Sequence, residues 1–248
     1  MSNLIIDIGN SRIKAAIFDN DKIVHFTTFD SLDIVEIKHL LTHYPQINHA
    51  IVSSVRKDSS QLLSDLSNHL EFVLELDLET LLPIDNLYET PQTLGKDRIA
   101  AAVGASYLYS GRNVLVIDAG TAITYDFVNE YNQYEGGYIS PGLTMRFKAL
   151  NHFTEKLPLV EALPPGYIPG NNTLNSIAGG VQYGLLGELE YVIGLYSGYN
   201  DDLIVIITGG DRNYFEKLLK NHKFVALEIT LIGLNRILNF NIEINKQE

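Results

Sequence analysis

The chain has no cysteine and no tryptophan among its 248 residues. Without cysteine there are no disulfides, no zinc–thiolate or iron–sulfur sites and no thiol nucleophile. Basic residues are scarce. Eighteen lysines and arginines stand against 30 acids, for a formal net charge of −12. So acidic a chain is poorly suited to nucleic-acid backbones, and its basic residues form no cluster with interleaved aromatics. No apolar run approaches the ~20 residues of a membrane span. Met1 to Asn10 lacks the basic start, apolar run and cleavage site of a signal peptide. A cytoplasmic protein with no nucleic-acid or membrane partner is therefore expected. Two common nucleotide motifs are also missing: there is no Gly-x4-Gly-Lys-Ser/Thr loop, and no Gly-x-Gly-x-x-Gly after a strand. No serine sits in a nucleophile elbow.

What is present reads as α/β. Apolar residues make up 46% of the chain and charged residues 19%, which is enough to bury a core. Leu4–Ile6 and Ile13–Phe18 read as strands joined by a tight polar turn, and Ile23–Phe29 as a third strand. Further strands are expected at His49–Ser53, Phe72–Leu76, Val114–Ile117, Ile123–Val128, Tyr138–Ile139 and Leu203–Ile207. Helical spacing is found over Leu32–Tyr44, Gln61–Leu70, Ile99–Leu108, Thr144–Phe153, Ser176–Leu195, Asn213–Leu219 and Ile232–Leu238. Pro83–Leu94 and Leu157–Asn172 read as irregular; irregular stretches as long as the latter tend to be functional or flexible.

An internal repeat is the most informative feature. Leu4-Ile5-Ile6-Asp7-Ile8-Gly9-Asn10-Ser11 resembles Leu115-Val116-Ile117-Asp118-Ala119-Gly120-Thr121-Ala122. Asp7 and Asp118 stand 111 residues apart, as do Gly9 and Gly120. Such a repeat implies two similar halves, here 1–112 and 113–248, each beginning with a hairpin. Glycine lets backbone approach a ligand, successive turn N–H groups make an anion-binding concavity, and a carboxylate can hold a cation beside phosphates. Two such hairpins could hold a nucleoside triphosphate. A single Asp-x-Gly turn is an ordinary hairpin feature; it is the pair in matching context that points to a nucleotide.

The paired hairpins resemble the acetate and sugar kinase, Hsp70 and actin superfamily. Four ordered segments resemble type III pantothenate kinases: Asp7-Ile8-Gly9-Asn10-Ser11, Gly95-Lys96-Asp97-Arg98, Asp118-Ala119-Gly120-Thr121-Ala122 and Gly136-Gly137-Tyr138-Ile139-Ser140-Pro141-Gly142. Gly170-Asn171-Asn172-Thr173 fits with less specificity. The resemblance implies two ribonuclease H-like (actin-like) domains with mixed sheets and a duplicated hairpin nucleotide site. It implies ATP-dependent phosphorylation of pantothenate, a homodimer, Mg²⁺ and a monovalent cation, K⁺ or NH₄⁺. By position, Asp7, Ile8, Gly9, Asn10, Ser11, Arg12, Ile13 and Lys14 would form the first phosphate-binding hairpin, and Thr121 would also touch ATP. Asp97 would accept the proton. Tyr88, Gly95, Lys96, Asp97, Arg98 and Thr173 would hold pantothenate, Thr173 reaching a partner's site, and Asp118 would bind the monovalent cation. Ser11 replaces the threonine of many members but keeps the hydroxyl.

Physical readings of these residues leave alternatives. Asp97 could orient an alcohol at ~3 Å or cap the helix that follows it. Arg98 could pair with a carboxylate or lie in solvent. Asp118 could hold a cation or cap its own turn. Gly136-Gly137 and Pro141-Gly142 could bring backbone close to a ligand or make ordinary turns. Thr208-Gly209-Gly210-Asp211 follows a buried strand, as adenosine-side loops do in the superfamily. His39 and His43, with Glu36 on the same face, have ligand spacing, but read as a solvated helix face. Five glycines in Ser176–Leu195, each costing about 1 kcal/mol relative to alanine, imply close packing, in a dimer or within one subunit. The rival functions are a kinase for another small hydroxylated substrate and a non-catalytic regulator of the same fold. The regulator would be expected to lose the acids at 7, 97 or 118, and all three are present.

Overall fold

The computed structural model describes residues 1–10, 12–30, 34–55, 59–200, 202–219, 224–226 and 228–246. Ser11 of the first hairpin and Leu32 of the first expected helix lie outside the described residues.

The chain divides into two compact units. The first takes in Met1–Ser110, Asn132–Tyr134 and Ile229–Glu248; the second takes in Gly111–Tyr131 and Glu135–Glu228. The repeat alone placed the division at 112/113, with the whole C-terminus in the second half. The C-terminal helix instead packs in the first unit, for a reason visible in two glycines described below.

In the first unit, β1 (Ser2–Ile8), β2 (Ile13–Asp19) and β3 (Lys22–Phe29) form an antiparallel meander. β4 (Ile47–Ser54) and β5 (Phe72–Glu75) add parallel strands on the other side, giving the order β3-β2-β1-β4-β5. The apolar run through β1 reflects burial of both faces: Leu4, Ile5 and Ile6 are all inaccessible. Leu4, Ile6, Ile13 and Ile17 pack with Ile37 and Leu40 of α1 (Ile34–His43) and with Leu62 and Leu66 of α2 (Ser60–Ser67). β3 lies at the sheet edge, and Val24, Phe26 and Thr28 form its exposed face. The stretch expected to be irregular holds a two-residue strand, β6 (Asp85–Asn86), and a 3₁₀ turn at Pro91–Thr93.

α3 (Lys96–Leu108) and α7 (Ile229–Asn245) pack along each other, and α7 also lies against β1 and β4. A Cβ on Gly104 would collide with the Ile229 carbonyl, and one on Gly233 with the Ala100 carbonyl. This crossing holds the C-terminal helix to the first unit. Asn3 fixes it further, its amide donating to Oδ1 of Asn235 (2.7 Å) and of Asn239 (2.8 Å).

The second unit repeats the pattern. β7 (Val114–Ala119) and β8 (Ala122–Val128) are antiparallel, while β10 (Ile204–Thr208) and β11 (Phe224–Ala226) run parallel to β7 and to each other. With β9 (Gln133–Pro141) the order is β9-β8-β7-β10-β11, the arrangement of the first sheet. The start of β9 counts with the first unit, where Gln133 and Tyr134 pair with Asp85 and Asn86. β9 is longer than the short strand expected. Gly136 (φ +96°) and Gly137 (φ +157°) lie inside it, and a Cβ on Gly137 would strike the Tyr125 carbonyl. The core joins Leu115, Ile117, Ile123 and Phe127 to Phe147 of α4 (Leu143–His152) and to Leu185, Leu189 and Ile193 of α5 (Thr173–Ser197). α6 (Arg212–Leu218) follows β10. No helix of the described residues is long and apolar enough to cross a membrane.

Candidate active site

The two hairpin turns are related but not identical. In the first, Ile8 pairs with Ile13, and Gly9, Asn10 and Arg12 lie between them. In the second, Ala119 pairs with Ile123, enclosing Gly120, Thr121 and Ala122. Each turn is closed by its glycine: Gly9 N–H donates to Arg12 O (3.0 Å), and Gly120 N–H donates to Ala122 O (3.1 Å). Asp7 is buried opposite Lys14 of β2 and Ser53 of β4. Asp118 occupies the equivalent place on β7 and is half-buried. Asn10, Arg12 and Thr121 are exposed at the turns.

Around the second hairpin two further turns press in. Gly142 N–H donates to Thr121 O (3.1 Å), and a Cβ there would collide with the carbonyls of Gly120 and Thr121. Gly209 (φ +93°) lies against the Ala119 carbonyl and the Asp118 carboxylate, and Asp211 N–H donates to Ala119 O (2.9 Å). Burial pushes the Asp211 carboxyl up from its ordinary value. Both glycine turns picked out in the sequence thus converge on Asp118–Thr121. Only glycine allows that approach.

The Gly95–Arg98 segment starts α3. Its N-cap is Gly95, not Asp97. Asp97 is the second helical residue, half-buried, and Oδ1 accepts the Arg98 N–H at 2.9 Å. A Cβ on Gly95 would crowd the same Oδ1. Arg98 does not lie in solvent: it is 4% exposed, and its guanidinium sits 5.6 Å from the centroid of the Tyr88 ring. Tyr88 in turn stacks on the buried Tyr134 at 6.1 Å. The structure therefore brings together Tyr88, Gly95, Asp97 and Arg98. Lys96 points elsewhere, its ammonium 3.7 Å from the Glu75 carboxylate. Tyr134 was not legible as part of this group, because its contact follows from the pairing of β9 with β6. Thr173 opens α5, exposed, just after Asn172, whose side chain caps the helix by accepting the Asn175 N–H at 2.9 Å.

Each hairpin by itself places a carboxylate beside turn N–H groups, a donor set suited to phosphate or a cation. Among the described residues, no three His, Cys, Asp or Glu side chains converge to hold a metal. His39 and His43 make no such site either: their rings are 4.0 Å apart, and His43 Nδ1 lies 2.9 Å from the His39 carbonyl.

A family model for type III pantothenate kinase matches residues 3–194. A type III pantothenate kinase from Cytophaga hutchinsonii is 45% identical over 240 residues, covering 97% of this chain and 100% of that one. Another from Phocaeicola vulgatus is 45% identical over 242 residues, covering 96% and 98%. Among solved structures, one described as a Baf family transcriptional activator from Campylobacter jejuni superposes with a TM-score of 0.61 at 22% identity, covering 97% and 99%. A ROK family glucokinase from Streptomyces griseus gives 0.55 at 11%, covering 97% and 100%. These two likenesses show the two-domain actin-like fold. The family model and the full-length relatives establish that the chain belongs to the type III pantothenate kinase family, which phosphorylates pantothenate with ATP in the first step of coenzyme A synthesis.

Proposed function

We propose that Asp97 is the residue that orients the pantothenate hydroxyl and takes its proton as the γ-phosphoryl group is transferred. The observation that carries this is the group at the start of α3. A half-buried carboxylate stands beside a buried guanidinium held over an aromatic ring. Phosphoryl transfer needs mainly positioning and charge stabilisation, with a base to orient the nucleophile. Asp97 supplies the base. Arg98 supplies a fixed fork for the substrate carboxylate, and Tyr88, Gly95, Lys96 and Thr173 complete the pocket, Lys96 after release from Glu75.

On the same reading, Asp7 to Lys14 cradle ATP phosphates with backbone N–H groups and the Lys14 ammonium, and Thr121 adds a hydroxyl. Asp7 is the carboxylate nearest in kind to a Mg²⁺ partner, and Asp118 holds the monovalent cation, K⁺ or NH₄⁺. Bound cations neutralise charge on the phosphates; the chain's part is to fix where those phosphates lie.

A homodimer is part of the proposal. On α5, Gly180, Gly184, Gly187 and Gly194 face open space, and Leu174, Tyr183 and Tyr191 are exposed. A smooth, largely uncharged helix face favours close approach of a second copy, which would bring Thr173 to a partner's site. A cytoplasmic location follows from the ATP-dependent reaction.

The test is pantothenate-dependent ADP release in potassium and in sodium buffer, for the native chain and for Asp97→Asn. A kcat lowered about 10²–10⁴-fold in the variant, with ATP binding retained, supports the assignment. A kcat within threefold of native removes Asp97 from the base role.

A further inference from the structure

Glu188, in the middle of α5, is the acceptor of a connected set of donors. Its Oε1 accepts from Tyr125 Oη (2.8 Å) and Ser140 Oγ (2.5 Å), and its Oε2 accepts from Arg146 Nη2 (2.5 Å). Arg146 also donates through Nε to the Pro141 carbonyl (2.8 Å) and through Nη2 to Ser140 Oγ (3.1 Å). Both charged side chains are mostly covered, at 21% and 28% exposure. Burial pushes the Glu188 carboxyl up, but the donors Ser140, Arg146 and Tyr125 outweigh it and hold it below the usual carboxylate range. Glu188 is therefore ionised at neutral pH.

The position of this network gives it a meaning beyond packing. Ser140 and Pro141 lead directly into Gly142, whose N–H donates to the Thr121 carbonyl and whose backbone lies against Gly120. One side of the Gly120–Thr121 turn is thus set by Pro141–Gly142. That segment is gripped from behind by Arg146 on α4, which Glu188 on α5 anchors. Side chains from two helices thus reach the segment that flanks this turn.

We propose that Glu188 and Arg146 are positioning residues for the nucleotide-side hairpin: they hold the Ser140–Gly142 segment so that Gly120 and Thr121 keep the geometry that receives ATP phosphate and Asp118 keeps its cation. This rests on the reading of that hairpin as a nucleotide site. It differs from a merely structural ion pair in what it controls. A structural pair sets how much enzyme is folded. A positioning pair also sets the affinity of the folded enzyme for ATP and the monovalent cation. Geometry shifts of about 1 Å at such a site cost of the order of 100-fold in rate.

The test compares Glu188→Ala, Arg146→Ala, the double variant and Arg146→Lys with the native chain, with Asp118→Asn as a reference. Each is measured for KM of ATP, KM of pantothenate, activation by potassium and Tm. The expected result is an ATP KM raised about tenfold or more in each alanine variant, with weaker potassium activation and a pantothenate KM within twofold. The double variant should add little to either single, because the two residues act as a unit. Arg146→Lys, which keeps the charge but loses the Nε contact to Pro141, should fall between. Unchanged ATP KM and potassium activation in folded Arg146→Lys and in either alanine variant, with only Tm lowered, would overturn the inference while Asp118→Asn still weakens cation activation. If Asp118→Asn alters neither ATP KM nor cation activation, the hairpin reading falls, and the inference with it.

Discussion

The guanidinium of Arg98 lies 5.6 Å above the ring of Tyr88, which rests on buried Tyr134. A cation held over an aromatic face and almost removed from water is a preorganised fork rather than a mobile surface charge. Arg98→Lys keeps the charge but loses the planar fork. It is expected to raise the pantothenate KM tenfold or more and to leave the ATP KM within twofold. Steady-state kinetics with each substrate varied in turn checks this.

The crossing of α3 and α7 depends on Gly104 and Gly233, each meeting the backbone of the other helix where a side chain would be. Gly233→Ala is expected to destabilise the first unit by about 1–3 kcal/mol, the range of strain and overpacking in a filled core. Gly111→Ala is a poor comparison because of its positive φ, but Gly187→Ala faces open space on a helix. In the chain measured as a monomer, that substitution should be neutral or stabilising by up to about 1 kcal/mol. Urea unfolding of the two variants would show the contrast.

Ser53 is fully buried near the end of β4, opposite Asp7, and its hydroxyl has no hydrogen-bond partner among the described residues. An unmade buried bond costs about 1–3 kcal/mol. Ser53→Ala removes the polar atom and leaves the shape nearly intact, so the apo chain should become more stable by about 1 kcal/mol. Calorimetry without ligands reads this as a Tm higher by roughly 2–4 °C. A lower Tm would mean that the hydroxyl has a partner in solution.

His49, on β4, has its pKa lowered from the ordinary 6.5 because burial outweighs the opposing Glu71 carboxylate, with Lys246 and the N-terminal ammonium adding to the lowering. The unfolded chain then binds more protons than the folded one below pH 6.5. The stability due to neutral His49 is complete above that pH and is lost as pH falls from 6.5 toward the lowered folded value. His49→Gln should flatten the stability curve between about pH 7 and 5. Parallel slopes for the two chains would show that His49 does not titrate differently on folding.

Several features were legible because they depend on local chemistry. The Asp-x-Gly turns after apolar strands, repeated at residues 7 and 118, predict two related hairpins, and five strands of the second, six-stranded sheet repeat the order of the first. Pro141-Gly142 read as backbone close to a ligand or an ordinary turn, and Gly209 as part of an adenosine-side loop; both glycines meet the second hairpin. Asp97 and Arg98 were identifiable by type and by family pattern, but that Gly95 takes the cap and that Tyr88 covers the Arg98 guanidinium was not.

What the sequence by itself determined was the alternation of strands and helices, the paired turns and the residue types at them. Hydrophobic periodicity and turn chemistry are properties of neighbours along the chain. What only the tertiary structure decided was which distant segments meet. Ile229–Asn245 joins the first unit through two glycines far apart in sequence, Lys96 pairs with Glu75, and Glu188 gathers Tyr125, Ser140 and Arg146 from three different elements. Such contacts come from how faces pack across the core, and no local pattern encodes the partner. The charge of a buried carboxylate is likewise fixed by the donors that packing brings to it.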